Sequence, residues 1–289
     1  AANIGAGSTV GAAGLAFADG ISAWWWNGSA AIGSLALAVW VGPRIWGLAE
    51  RHGFYTVGDF LEHRYGRPVR GVVSVLIWVG TLAILVGQLI AGAAVLEVVA
   101  DVPRAWGTAI GAAAMLVYFV AGGLLSSAWV NAVQLTVLLT GLLVSLPIVL
   151  SKAGGLTGIA AASPAHVWDF AYTTGPGSGF TLLAMLGPAF IISPGLLQKV
   201  YGAANPRAVR MGVGAQALAL GLFAFIPVLL GMSARVIAPD VANPNLVLPT
   251  VLIQALPLWL GALALAAVFS AEVSTCDAIL FMLATSLSQ

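Results

Sequence analysis

The chain reads as long apolar runs separated by shorter polar stretches. The runs are too long, and alternate too little, for lipid-facing β-strands. A helix crossing a bilayer needs about 20 mostly apolar residues. On that criterion the pattern predicts about eight membrane helices, over residues 1–18, 22–49, 68–100, 104–123, 125–150, 180–201, 207–236 and 258–286. The first and sixth are interrupted, the first by Gly5, Gly7, Gly11 and Gly14, the sixth by Gly187-Pro188 and Pro194-Gly195. Residues 50–67 form a polar loop in which a short helix capped by Thr56 is expected. Residues 151–179, rich in Gly, Ser, Pro and Thr, form a second long loop, and residues 246–256 are expected to make a short helix at the outer surface.

Composition agrees with lipid as the solvent. Apolar residues make up 60% of the chain and charged residues 7%, where a soluble domain carries about 25% charged residues. Mean hydropathy is +1.01. A net charge of +1 argues against bulk attraction to nucleic acid. The single cysteine, Cys276, excludes a disulfide framework, and His52, His63 and His166 share no metal-ligand spacing. The basic residues sort by side. Arg44, Arg51, Arg64, Arg67, Arg70, Lys199, Arg207 and Arg210 fall on one side of the predicted spans, and Arg104, Lys152 and Arg235 on the other. The richer side is expected to be cytoplasmic, with the first span starting and the eighth ending inside.

Two places carry candidate chemistry. Unwound backbone at membrane depth leaves N–H and C=O groups to be satisfied by protein or a polar cavity, and transporters use such breaks at their binding sites. Asn3-Ile4-Gly5-Ala6-Gly7-Ser8 is such a candidate, whereas Gly11 and Gly14 read as close-packing residues. In the eighth span, Ala271, Ser274 and Thr275 stand at i, i+3 and i+4 and share one helix face. Their hydroxyls either bond to neighbouring carbonyls and helices or, with carbonyls from the broken helix, hold a hard cation. Glu272 is a carboxylate near the middle of its span, open to a role as substrate partner, proton carrier or ion pair. Asp277, nearer the cytoplasmic side, reads as a structural or coupling group. Asn131 and Gln134 share a face of the fifth span, and Gln88 and Asn27, the latter after Trp24-Trp25-Trp26, are polar groups open to substrate contact or helix pairing.

Taken together, these residues resemble the sodium:solute symporter family, the sodium/glucose, sodium/galactose and sodium/proline cotransporters. The resemblance rests on Ala1-Ala2-Asn3-Ile4 with its Gly-rich continuation, on Tyr55 through Gly66, on Gly122-Gly123-Leu124 followed by Trp129 and Gln134, and on Phe269 through Asp277. It implies an all-α membrane protein with the LeuT-like inverted-repeat helical bundle. Residues 1–150 would be the first five-helix repeat and 180–289 the first three helices of the second, in a chain truncated at both ends. It also implies a sodium ion held by the carbonyls of Ala1, Ile4 and Ala271 and the hydroxyls of Ser274 and Thr275. Ser8 and Asn27 fall where sugar-transporting members place polar substrate contacts, but neither is the Gln or Glu of those members. Phe190, Ser193 and Pro194 fall near family substrate positions. Asn131 replaces an Asp that members often carry.

The expected function is sodium-coupled symport of a small organic solute by alternating access, in a bacterial inner membrane. Alternatives are proton-coupled symport through Glu272 and a transporter-like membrane sensor. No Ser-His-Asp set, metal cluster or phosphate loop argues for an enzyme.

Overall fold

The computed structural model describes residues 4–173 and 179–287, with side chains described outside 118–130, 277, 278, 281, 282 and 284–287. Among the described residues every regular element is helical. In chain order the helices are α1 (Val10–Asp19), α2 (Trp24–Ala36), α3 (Gly42–His52), α4 (Val57–Tyr65), α5 (Arg67–Ala100), α6 (Arg104–Lys152) and α7 (Gly155–Ala161), followed by α8 (Gly179–Ile191), α9 (Pro194–Tyr201), α10 (Pro206–Phe223), α11 (Phe225–Ile237), α12 (Val247–Ala255) and α13 (Leu258–Leu287).

Six stretches of the described residues are long and apolar enough to cross a membrane: Ala6–His52, Arg67–Ala100, Asn131–Lys152, Gly179–Tyr201, Pro206–Ile237 and Leu258–Cys276. They overlap the runs read from the sequence except the fourth, 104–123, and differ from them in two respects. The first two predicted spans follow one another with only the 3-10 turn Gly20–Ala23 between α1 and α2. The fourth and fifth lie in one continuous helix, α6, and the predicted junction at Leu124 falls where side chains are not described.

Local chemistry explains several boundaries. Thr56 caps α4 as expected: the Asp59 N–H donates to Thr56 Oγ1 at 3.3 Å, and Asp59 Oδ2 accepts the Thr56 N–H at 2.9 Å, the reciprocal pairing of a capping box. The sixth span breaks at Ser193, where α8 gives way to α9 with Pro194 at its first turn. Pro188 sits inside α8 without ending it. Between α1 and α2 the chain turns at Gly20 with φ +81°, and a Cβ there would fall on the Val167 backbone. Only glycine takes that conformation without steric cost.

The chain divides into two compact units. The first comprises Ala1–Trp25, Leu85–Gly179 and Phe223–Ala278. Its helices meet through small residues: a Cβ on Gly231 of α11 would strike the Ala13 carbonyl of α1, and Gly14 sits against Pro244. In lipid, where tails are as apolar as leucine, such close backbone packing is what holds helices together. The short helix expected over 246–256 is present as α12, with one face buried. Val247, Leu248, Val251 and Leu252 have no exposure, because α1 and α11 both pack on it. The second unit comprises Trp26–Ile84, Phe180–Leu222 and Ile279–Gln289. Its core gathers Leu37, Leu196, Leu197, Val200 and Val209, and Trp46 donates to the Ala203 carbonyl at 2.7 Å.

Candidate functional site

The candidate site lies within the first unit, where the irregular start of the chain meets α5, α6 and α13. Ile4 and Gly5 precede the 3-10 turn Ala6–Ser8, and regular helix begins only at Val10. The Gly5 carbonyl is taken by the Ser8 and Thr9 N–H groups at 3.0 and 3.1 Å and by the Thr9 hydroxyl at 2.9 Å. The Ala6 N–H has no helical acceptor ahead of it and donates instead to Gln88 Oε1 of α5 at 2.7 Å. The Ile4 carbonyl faces the Thr275 hydroxyl of α13 at 3.4 Å. This approach requires glycine at position 5, because a Cβ there would lie 2.5 Å from Thr275 Oγ1 and 2.6 Å from Gln88 Oε1.

On α13 the Thr275 hydroxyl also reaches back to the Ala271 carbonyl at 3.0 Å. The Ser274 hydroxyl donates to Asn131 Oδ1 of α6 at 2.5 Å. That bond has a consequence for ion chemistry. With its proton directed at Asn131, Ser274 Oγ keeps its lone pairs for another partner. Ile4, Ala271, Ser274 and Gln134 together line a small void, and Gln134 Oε1 is buried without a hydrogen-bond partner among the described residues. The residues lining this void carry carbonyl, hydroxyl and amide oxygens and no positive group, and oxygen groups of that kind suit a hard cation. The orphaned Gln134 oxygen is the observation that tests the fit, since a buried acceptor left unmet costs about 1–3 kcal/mol.

The sequence profile of the sodium:solute symporter family matches residues 1–289. The chain belongs to the sodium:solute symporter family. Among characterised relatives, the sodium/pantothenate symporter of Escherichia coli is 28% identical over 83% of this chain and 52% of its own length. An uncharacterised symporter, YidK, of the same organism is 24% identical over 96% of this chain and 52% of its own. The chain thus spans about half the length of the curated relatives it matches. A solved structure of a Na+-coupled sialic acid symporter, substrate-bound and outward-open, superposes with a TM-score of 0.70 at 15% identity, covering 96% of this chain and 65% of that one. That likeness shows the fold, the LeuT-like helical bundle.

Within this sodium:solute symporter chain, the residues singled out from the sequence separate by where they lie. Ile4, Ala271, Ser274 and Thr275 come together as described. Asn131 joins them through Ser274, and Gln88 braces the broken segment through Ala6. Glu272 stands beside this set rather than in it. It is 2% exposed, it lies against Gly92, where a Cβ would be 3.2 Å from its Oε2, and neither carboxyl oxygen has a partner among the described residues. Ser8 closes the 3-10 turn of the broken segment.

Asn27, Phe190, Ser193 and Pro194 belong to the second unit. Asn27 is buried on α2, Phe190 packs on the Leu37–Val209 core, and the Ser193 carbonyl accepts the Leu196 and Leu197 N–H groups at 3.1 and 2.9 Å. Pro194 opens α9. Ala1 and the Asp277 side chain lie outside the described residues. Gln134 was legible as a partner of Asn131 at i+3, but nothing in the sequence placed its oxygen at the Ser274 void.

Proposed function

We propose that this chain is the membrane core of a sodium-driven symporter for a small organic solute, acting by alternating access in a bacterial inner membrane. The observation that carries the reading is that the Thr275 hydroxyl lies between the Ile4 and Ala271 carbonyls while Ile4, Ala271, Ser274 and Gln134 line one void, the Gln134 oxygen without a partner among the described residues. A sodium ion held there ties the broken start of the chain to α13. Family membership and the sodium-coupled relatives support the choice of ion. Coupling follows if the two access states differ in sodium affinity, since equal binding to both would shift nothing. The membrane potential adds about 2.3 kcal/mol per charge for each 100 mV. The solute belongs to the class of small organic molecules, with Ser8, Asn27, Phe190, Ser193 and Pro194 as candidate contacts, and Asn131, Glu272 and Asp277 as candidate coupling residues.

The test is sodium binding to the full-length parent in liposomes, by isotope, compared with Ser274→Ala/Thr275→Ala. Saturable binding that disappears in the double variant supports the reading, and a folded parent without sodium dependence refutes it. One observation favours a second reading: the fully enclosed, unpartnered Glu272 carboxyl fits a proton-coupled symporter. Uptake that needs no sodium and is abolished by Glu272→Gln would select it.

A further inference from the structure

The second unit contains a cavity of about 530 Å³ whose lining shares no residue with the oxygen set above. Small-molecule sites occupy roughly 300–1,000 Å³. One wall is a single face of the first four turns of α5, running from Arg67 to Thr81. At one end stand Arg67, Arg70 and Glu62. Glu62 accepts the Arg67 Nε–H at 3.0 Å and a second bond from Arg70 Nη1. Arg70 also lies 3.8 Å from Asp59 Oδ1. The other Asp59 oxygen is engaged by the Tyr55 and Thr56 N–H groups at 3.0 and 2.9 Å, at a helix N-terminus whose dipole offsets its charge. Two guanidiniums thus face Glu62, with Asp59 at the edge of ion-pair range of Arg70, and the Arg67 bond to Glu62 is made through its Nε–H. Each guanidinium has five donors in a fork that matches a carboxylate, and the Arg67 side chain is 89% exposed at the rim.

Further along the same face Gly71, Ser74, Ile77, Trp78 and Thr81 follow, uncharged residues that mix apolar and polar groups. The Thr81 hydroxyl is spent on the Ile77 carbonyl at 2.6 Å. Gly71 opens the space, since a Cβ there meets nothing within 4 Å. From Arg70 to Thr81 the helix rises about 16 Å at 1.5 Å per residue. We propose that this cavity binds a medium-chain organic acid, its carboxylate on the arginine fork at the rim and its apolar body along the α5 face toward Trp78. The site takes its ligand from the side of the membrane where the arginines lie, and it does not depend on the sodium site.

The experiment is calorimetric titration of octanoate into the full-length parent in nanodiscs, with empty nanodiscs as the partition control. Saturable binding is expected, at least tenfold weaker for octanamide and for the Arg67→Gln variant. Gly71→Phe should abolish it and Gly71→Ala should leave it intact. Arg67 is exposed, so its variant keeps the test valid if Gly71→Phe fails to fold. Uptake of octanoate matching empty nanodiscs, or binding indifferent to both Arg67→Gln and removal of the charge, overturns the proposal. Octanoate binding should persist in Ser274→Ala/Thr275→Ala, so loss of sodium binding and loss of acid binding are read separately.

Discussion

Replacing Gly5 by alanine is the most economical probe of the proposed cation site. The substitution adds one methyl group and no charge. Gly5 has φ −127°, an extended conformation open to any residue, so backbone strain does not contribute. The cost is steric. The new Cβ would sit 2.5 Å from Thr275 Oγ1, 2.6 Å from Gln88 Oε1 and 2.9 Å from Thr275 Cβ, where ordinary contact begins at 3.4 Å. The broken segment and α13 must therefore part by nearly an ångström. That movement pulls the Ile4 carbonyl from Thr275 and the Ala6 N–H from Gln88. Overpacking of this kind costs about 1–3 kcal/mol. If about 2 kcal/mol falls on the cation-bound state, half-saturating sodium rises about 30-fold. The assay is sodium-dependent uptake by the full-length parent in proteoliposomes at fixed solute. Gly11→Ala is the matched control, because its Cβ meets only the Ala6 carbonyl, at 3.6 Å, and sodium dependence should stay within about twofold of the parent. A Gly5→Ala transporter with unchanged sodium dependence would refute the reasoning, since the segment could not then be packed on Thr275 in the sodium-binding state.

Gln134→Leu removes the unpartnered oxygen while keeping the volume. Half-saturating sodium should rise about tenfold while thermal stability holds or improves, since a buried unmet acceptor is itself a cost; a lower melting temperature with unchanged sodium dependence would assign Gln134 a structural role instead. Asn131→Ala leaves the buried Ser274 hydroxyl without its acceptor and should cost about 1–3 kcal/mol in the melting transition, which nano-scale fluorimetry would read. Thr56→Ala deletes the cap of α4 and should cost about 1 kcal/mol, seen as faster amide exchange confined to Val57–Tyr65. The Glu62 carboxyl is held below its ordinary value of 4.5, by Arg70 first and Arg67 second. A depressed carboxylate stabilises the folded state above its ordinary value and loses that contribution as pH falls through the lowered one. Exchange protection of α4 should therefore fall on acidification below about pH 4.5, and Glu62→Gln should flatten that acid limb.

The sequence by itself determined everything that depends on neighbours a few residues apart. Apolar run length specified a membrane protein and located most of its spans, because the thickness of hydrocarbon sets helix length directly. The Thr56 and Asp59 pair fixed the start of α4 through bonds made within one turn. The spacing of Ala271, Ser274 and Thr275 placed a carbonyl and two hydroxyls on one face before any helix was packed. Tertiary structure alone decided which distant groups complete that face. Ser274 meets Asn131 across 143 positions, Thr275 meets Ile4 across 271, and Gln88, a candidate for solute contact, is used to hold the Ala6 N–H. It also decided which face of α12 is buried, and that Glu272 lies against Gly92 beside the oxygen set. The physical reason is the same in each case. Periodicity and capping are written in local bonds, whereas the partner of a buried oxygen is chosen by which helix faces can approach. In lipid that approach is set by small residues such as Gly5, Gly14 and Gly231, and what each of them touches is visible only once the helices are packed.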